Sequence, residues 1–167
     1  MSKNRICRNS ATGGFTLVEI MVVLVVIAIV VAVAAPYVVS TKDLQVISAT
    51  RMIAADLQYA QSLAITSQSQ TTVSFNSGNE SYSLTNESGS VIHPMTKSDY
   101  VVNFSTLGGF EHLNIVSANF NGSSSVSFDS LGSPVSAGEV TVQAGPHIYR
   151  VDVAAATGRV SVTAVSP

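Results

Sequence analysis

The sequence predicts an α+β protein in which a long N-terminal helix, with a membrane half and an amphipathic half, packs on a small antiparallel β-rich domain. An apolar run at residues 20–35 predicts the first half of the helix. A stripe of apolar residues at helical spacing predicts the second half, and apolar residues that alternate with polar ones beyond residue 70 predict strands. The expected segments are 1–14, 15–39, 40–70 and 71–167.

Residues 1–14 are a basic leader. Lys3, Arg5 and Arg8 are cationic, and no acid precedes Glu19. Positive charge before an apolar helix keeps the N-terminus in the cytoplasm. We therefore expect a single-pass membrane protein whose globular domain lies outside the cytoplasm.

Residues 15–39 are predicted to form the transmembrane helix. As a helix, these 25 residues reach roughly 37 Å at about 1.5 Å per residue, which is enough to cross a bilayer. Pro36 removes one backbone donor and crowds the preceding turn. We expect a bend there and not an end, because an amphipathic helical pattern resumes from Asp43.

Glu19 is the one acid in the apolar segment. An ionised carboxylate in a membrane helix costs about 3 kcal/mol or more unless a partner neutralises it. Cleavage between Gly14 and Phe15 would create an α-amino group four residues away, about 6 Å along a helix. The same pair can form between neighbouring copies, so Glu19 is predicted to serve assembly.

The stretch Gly14-Phe15-Thr16-Leu17-Val18-Glu19 resembles the cleavage motif of the prepilin family. The resemblance implies that the prepilin peptidase removes residues 1–14 and methylates Phe15. It also implies that the apolar helices pack into a filament core, and Pro36 falls where these helices usually carry a kink. The implied partners are this peptidase, other pilin subunits and the membrane.

A secretory signal peptide is the alternative interpretation of the same stretch. Ala32-Val33-Ala34 before Ala35 fits a signal-peptidase site. Apolar regions of signal peptides usually run about 7 to 15 residues and carry no acid. The run here is longer and begins beside Glu19, which favours the prepilin interpretation.

Residues 40–70 and 71–167 are predicted to form the amphipathic helix and the β-rich domain. The helix stripe comprises Val46, Ala49, Ile53, Leu57, Ala60 and Ala64. Strands are expected around residues 73–75, 82–84, 100–104, 113–120, 126–128, 140–142, 149–153 and 160–162. Residues 86–90 are expected to be loop.

Three later segments, 54–65, 126–134 and 157–162, resemble the GspH/FimT group of minor pseudopilins and minor pilins. This resemblance implies a subunit of a type II secretion pseudopilus or a type IV pilus. Some FimT-like members bind DNA through a Gly-Arg-x-Arg element, so a DNA-binding minor pilin that serves uptake is the alternative function. Here Arg159 supplies the first arginine, but Ser161 replaces the second.

The composition does not favour nucleic acid as a partner or an enzymatic role. Removal of the leader leaves five basic residues against ten acids, which disfavours polyanions. Cys7 lies in the leader, so the remainder can form no intrachain disulfide. His93, His112 and His147 are isolated in the sequence, and no catalytic or phosphate-binding motif is present. We predict no metal, no cofactor and no catalytic residue.

Overall fold

The computed structural model describes residues 14–34 and 41–165, which belong to two compact units, Met1–Val38 and Val39–Pro167. In the first unit, α1 spans Leu17–Ala34 and is apolar except for Glu19. Across the described ranges, no helix combines the length and the apolarity that a membrane crossing requires. Residues 35–40, with the bend predicted at Pro36, lie outside the described residues.

In the second unit, the described residues 41–165 form one helix and nine strands. The helix, α2, spans Thr41–Ser67. The strands are β1 Thr71–Asn76, β2 Ser81–Asn86, β3 Gly89–Ser90, β4 Val101–Asn103, β5 Leu113–Asn119, β6 Ser125–Phe128, β7 Gly138–Ala144, β8 His147–Val153 and β9 Val160–Val165.

Two antiparallel sheets divide these strands. The first has the order β3-β2-β1-β6, with β4 also paired to β2, and the second has the order β5-β7-β8-β9. Strand β6 joins the first sheet by pairing with β1, whereas its sequence neighbours β5 and β7 pair with each other in the second. The helices and the two antiparallel sheets confirm the predicted α+β class.

The apolar stripe of α2 forms the centre of the core. All six predicted stripe residues have no exposed surface, and α2 contacts strands of both sheets. Full burial of a side chain such as Ile53 or Leu57 contributes about 1.5–3 kcal/mol. The inward side chains of β1 and β2, Val73, Phe75, Tyr82 and Leu84, complete this part of the core.

The loop expected at residues 86–90 is a correction, because Asn86 is the last residue of β2 and residues 89–90 form β3. Thr85 faces Ser90 and Asn86 faces Gly89 across the pairing of β2 with β3. Both residues of β3 are exposed, so backbone hydrogen bonds hold the strand and no apolar side chain marks it. Alternation of apolar residues, the signal used for strands, is absent from such a pair.

Candidate assembly site

The predicted cleavage position lies in a short non-helical segment before α1. The side chain of Phe15 is 78% exposed, and a side chain added at Gly14 would meet no atom within 4 Å. A peptide bond in open, non-helical backbone can enter a peptidase site without unwinding a helix. Cleavage between these residues stays a prediction.

Thr16 caps the N-terminus of α1. Its hydroxyl accepts a hydrogen bond from the N–H of Glu19 (3.2 Å), and its carbonyl accepts one from Ile20 (3.3 Å). Thr-x-x-Glu before an apolar run is the sequence signature of a capping box. The start of α1 is therefore already marked in the sequence by this pattern.

In the uncleaved chain, Glu19 also stabilises the start of α1. Its carboxylate belongs to the first helical turn, where the helix dipole favours negative charge by about 0.3–1 kcal/mol. Because α1 begins at Leu17, Phe15 lies outside the helix. The distance between Phe15 and Glu19 in this chain therefore does not follow from the rise per residue of a helix. The pairing of Glu19 with the Phe15 amine remains a prediction.

In the second unit, the three segments that resemble the GspH/FimT group meet at Gln61. The side-chain amide of Gln61 donates hydrogen bonds to the carbonyls of Gly132 (2.8 Å) and Thr157 (2.9 Å). These carbonyls belong to the β6–β7 loop and the β8–β9 turn. One side chain of α2 therefore holds two loops that are far apart in sequence.

Gly158 lies against this contact. Its φ is +63°, and a Cβ at this position would lie 2.5 Å from the amide nitrogen of Gln61. Glycine adopts this positive φ without strain, which suits it to the turn between the last two strands. The close approach of Gln61 is a further requirement for glycine that only the tertiary structure reveals.

One further hydrogen bond joins the two loops, and two others order the β6–β7 loop itself. Ser133 donates its hydroxyl to the carbonyl of Ala156 (3.0 Å). The carboxylate of Asp129 accepts bonds from the backbone N–H groups of Leu131 (2.9 Å) and Ser133 (2.8 Å). The loops form one ordered surface, on which the side chain of Leu131 is 81% exposed.

Arg159 follows Gly158 and is exposed. Its backbone N–H donates to the hydroxyl of Thr157 (3.3 Å), and its carbonyl accepts from Ala154 (2.9 Å). Its guanidinium makes no hydrogen bond or ion pair with residues 14–34 or 41–165. The backbone of Arg159 therefore closes the turn, while its charge faces solvent.

Asp56 anchors α2 to the first sheet. Its carboxylate accepts hydrogen bonds from the hydroxyls of Tyr82 (2.5 Å) and Tyr100 (2.9 Å). The two tyrosines are only 1% and 5% exposed. Burial, together with the hydrogen bond to Asp56 and its charge, raises the pKa of both hydroxyls well above 10.0. Sequence reasoning missed this cluster.

Two other carboxylates are bound by the chain itself. Glu111 accepts hydrogen bonds from the N–H of Gly109 (2.9 Å) and from the side chain of Gln45 (3.1 Å). The backbone bonds, from Gly109 first, lower the pKa of Glu111. Glu80 accepts the N–H of Ile115 and so links the two sheets. Both acids therefore brace the fold.

The three histidines are separate from one another. His93 accepts hydrogen bonds from two backbone N–H groups of its own loop, His147 lies 3.7 Å from Asp43, and His112 is exposed. In the part of the chain that the structure describes, no three potential metal ligands come together.

The N-terminal motif and the helix-on-two-sheets domain together define a prepilin-type filament subunit. The prokaryotic N-terminal methylation motif matches residues 9–35, and the family model of Type II transport protein GspH matches residues 49–158. The chain belongs to the GspH family. Both resemblances that the sequence predicted are thereby confirmed, and the family is one of structural pilin and pseudopilin subunits.

Solved structures share the fold. The minor pseudopilin EpsH from the Type 2 Secretion System of Vibrio cholerae is 12% identical, with a TM-score of 0.55, and the similarity covers 72% of this chain and 97% of that one. The type IV minor pilin FimU of Pseudomonas aeruginosa is 20% identical, with a TM-score of 0.52 over 74% of this chain and 91% of that one. No curated protein sequence matches the chain.

Proposed function

We propose that the chain is a minor subunit that is processed as a prepilin and then assembles into a type II secretion pseudopilus or a type IV pilus. The observation that carries the proposal is the open Gly14-Phe15 junction directly before a capped apolar helix with Glu19 in its first turn. The same chain continues into a domain of the GspH family. This combination provides both a processing signal and an assembly domain.

In the proposed mechanism, the prepilin peptidase removes residues 1–14 and methylates Phe15. The helix that follows anchors the subunit in the inner membrane with its N-terminus in the cytoplasm and its globular domain in the periplasm. The large apolar residues of α1 support this step, since their exposed fractions range from 47% at Ile20 to 76% at Leu17. Apolar surface of this extent requires lipid or neighbouring helices to cover it.

During assembly, Glu19 pairs with the amine of Phe15, in its own subunit or in a neighbour, and sets the axial register of the subunit. Pro36 bends the helix between its membrane segment and the domain. The domain then selects its neighbours through surfaces such as the loops joined at Gln61. Their hydrogen bonds support this role, because an ordered surface loses less conformational entropy when it binds.

The test is co-expression of the full chain with a prepilin peptidase, followed by mass spectrometry of the N-terminus. We expect the loss of fourteen residues and a methyl group on Phe15, and no change when the peptidase is omitted. A mature chain that begins at Ala35 in both cultures would instead establish the signal-peptide interpretation.

A further inference from the structure

The free edge of β9 differs from the edges of β5 and β6. Strand β9 pairs with β8 on one side, and no strand of the described ranges pairs with the other side. The outer edge of β5 is irregular at Ile115, whose N–H is bound by Glu80. The outer edge of β6 accepts a backbone hydrogen bond from the N–H of Val135. Strand β9 has six residues and carries no charge, proline or bulge, the devices that usually protect an edge.

A groove of about 390 Å³ runs beside this edge, between α2 and the end of the second sheet. It is lined by Ile47, Thr50, Arg51, Tyr149 and Val162. Val162 lies opposite Val151 in the pairing of β8 with β9, so both side chains face α2. Val151 has no exposed surface, but Val162 is 40% exposed. Helix α2 thus covers β8 and leaves the inner face of β9 partly open at Val162.

The charge of the groove is positive. Arg51 is exposed at its rim and makes no ion pair with the described residues. The other lining residues are uncharged, and so is β9. A carboxylate is therefore the complementary group for a ligand that binds here.

We propose that β9 and this groove bind an extended strand of a different pilin-type subunit. The unpaired N–H and C=O groups of β9 are complementary to an added strand, because an extended backbone repeats donors and acceptors at the spacing of a sheet. Every second side chain of the added strand points into the groove. These side chains are apolar beside Val162, and one is an Asp or Glu that pairs with Arg51.

This inference rests on the proposed function and names the partner that the domain selects. Its test uses the full chain in membranes that also hold the other subunits of its filament. A photo-crosslinking residue replaces Val162, and crosslinked peptides are identified by mass spectrometry. The matched control carries the same residue at Met95, which is 85% exposed and lies outside the groove.

We expect Val162 to crosslink to one peptide of another pilin-type subunit, with an Asp or Glu in its sequence, and Met95 not to crosslink to that peptide. In the chain that carries the crosslinker, Arg51→Glu should lower the yield roughly tenfold, the consequence of a like-charge contact. Lys97→Glu makes the same change of charge at an exposed residue outside the groove and should leave the yield unchanged. Replacement of the partner's Asp or Glu by Lys should restore the crosslinking yield of the chain that carries Arg51→Glu.

The inference is overturned if Val162 crosslinks only to a second copy of this chain or to a protein of another class, or gives no crosslink. It is also overturned if Arg51→Glu and Lys97→Glu change the crosslinking yield by the same amount. Processing and filament incorporation are measured on the same samples. Normal incorporation with no crosslink at Val162 defeats this inference alone, whereas absence of the chain from every filament defeats the proposed function as well.

Discussion

Replacement of Asp56 by alanine should destabilise the domain strongly. The carboxylate of Asp56 accepts hydrogen bonds from the hydroxyls of Tyr82 and Tyr100, and both tyrosines are almost fully buried. A buried hydroxyl left without a partner costs about 1–3 kcal/mol, so the loss of both bonds should lower the free energy of unfolding by roughly 2–6 kcal/mol. Domains of this kind are stable by only about 5–15 kcal/mol.

The assay is urea unfolding of a fragment that begins at Thr41, followed by far-ultraviolet circular dichroism because the chain has no tryptophan. Asp56→Asn is the control that keeps one acceptor oxygen, and it should cost less than Asp56→Ala. The triple variant that combines Asp56→Ala with Tyr82→Phe and Tyr100→Phe removes the orphaned hydroxyls. It should be more stable than Asp56→Ala alone.

Two results would refute this reasoning. One is a loss of less than about 1 kcal/mol for Asp56→Ala, below the range expected for a single unpaired buried hydroxyl. The other is a triple variant that is no more stable than the single one, because the cost would then come from something other than unpaired hydroxyls.

Four further predictions concern Glu19, Gly158, the two tyrosines bonded to Asp56, and Arg159. Glu19→Val should leave membrane insertion intact and reduce incorporation into filaments, measured in sheared filament preparations. Incorporation equal to that of the parent protein would contradict the pairing of Glu19 with the Phe15 amine. Glu19→Gln is the control that keeps the shape of the side chain. Gly158→Ala should destabilise the domain by about 1–3 kcal/mol in urea unfolding, whereas Gly108→Ala, where an added Cβ meets no atom within 4 Å, should be nearly neutral. The raised pKa of the two tyrosines bonded to Asp56 contributes stability that is fully present below pH 10.0. That stability should fall as the pH rises above 10.0, because the unfolded chain releases these protons first; a titration of stability that is flat from pH 9 to about 12 would be inconsistent with it. The fragment should show no salt-sensitive binding to duplex DNA at physiological salt, and binding that Arg159→Ala abolishes would support the DNA-uptake alternative.

The sequence alone determined the features that depend on near neighbours. The stripe of α2 was readable because its buried residues recur every three or four positions, and all six are fully buried. Alternation located the longer strands for the same reason. The cap of α1 is equally local, since Thr16 and Glu19 are three residues apart, and the Thr-x-x-Glu pattern was available to predict it.

Alternation does not reveal which strands pair. It shows that one face of a strand is buried but carries no information about the partner, so the division into two sheets was not predictable. β6 pairs with β1, about fifty residues earlier, while its sequence neighbours belong to the other sheet. The short strand β3 was missed because its exposed residues have no alternation.

The tertiary structure decided which polar residues matter. Asp56 and Gln61 lie on α2 among other polar residues, and no local pattern distinguishes them. Asp56 gained its role from tyrosines 26 and 44 positions away, and Gln61 from carbonyls 71 and 96 positions away. The periodicity of a helix is set by its own turns, whereas the partner of a polar side chain is set by which distant segments the two sheets bring beside it.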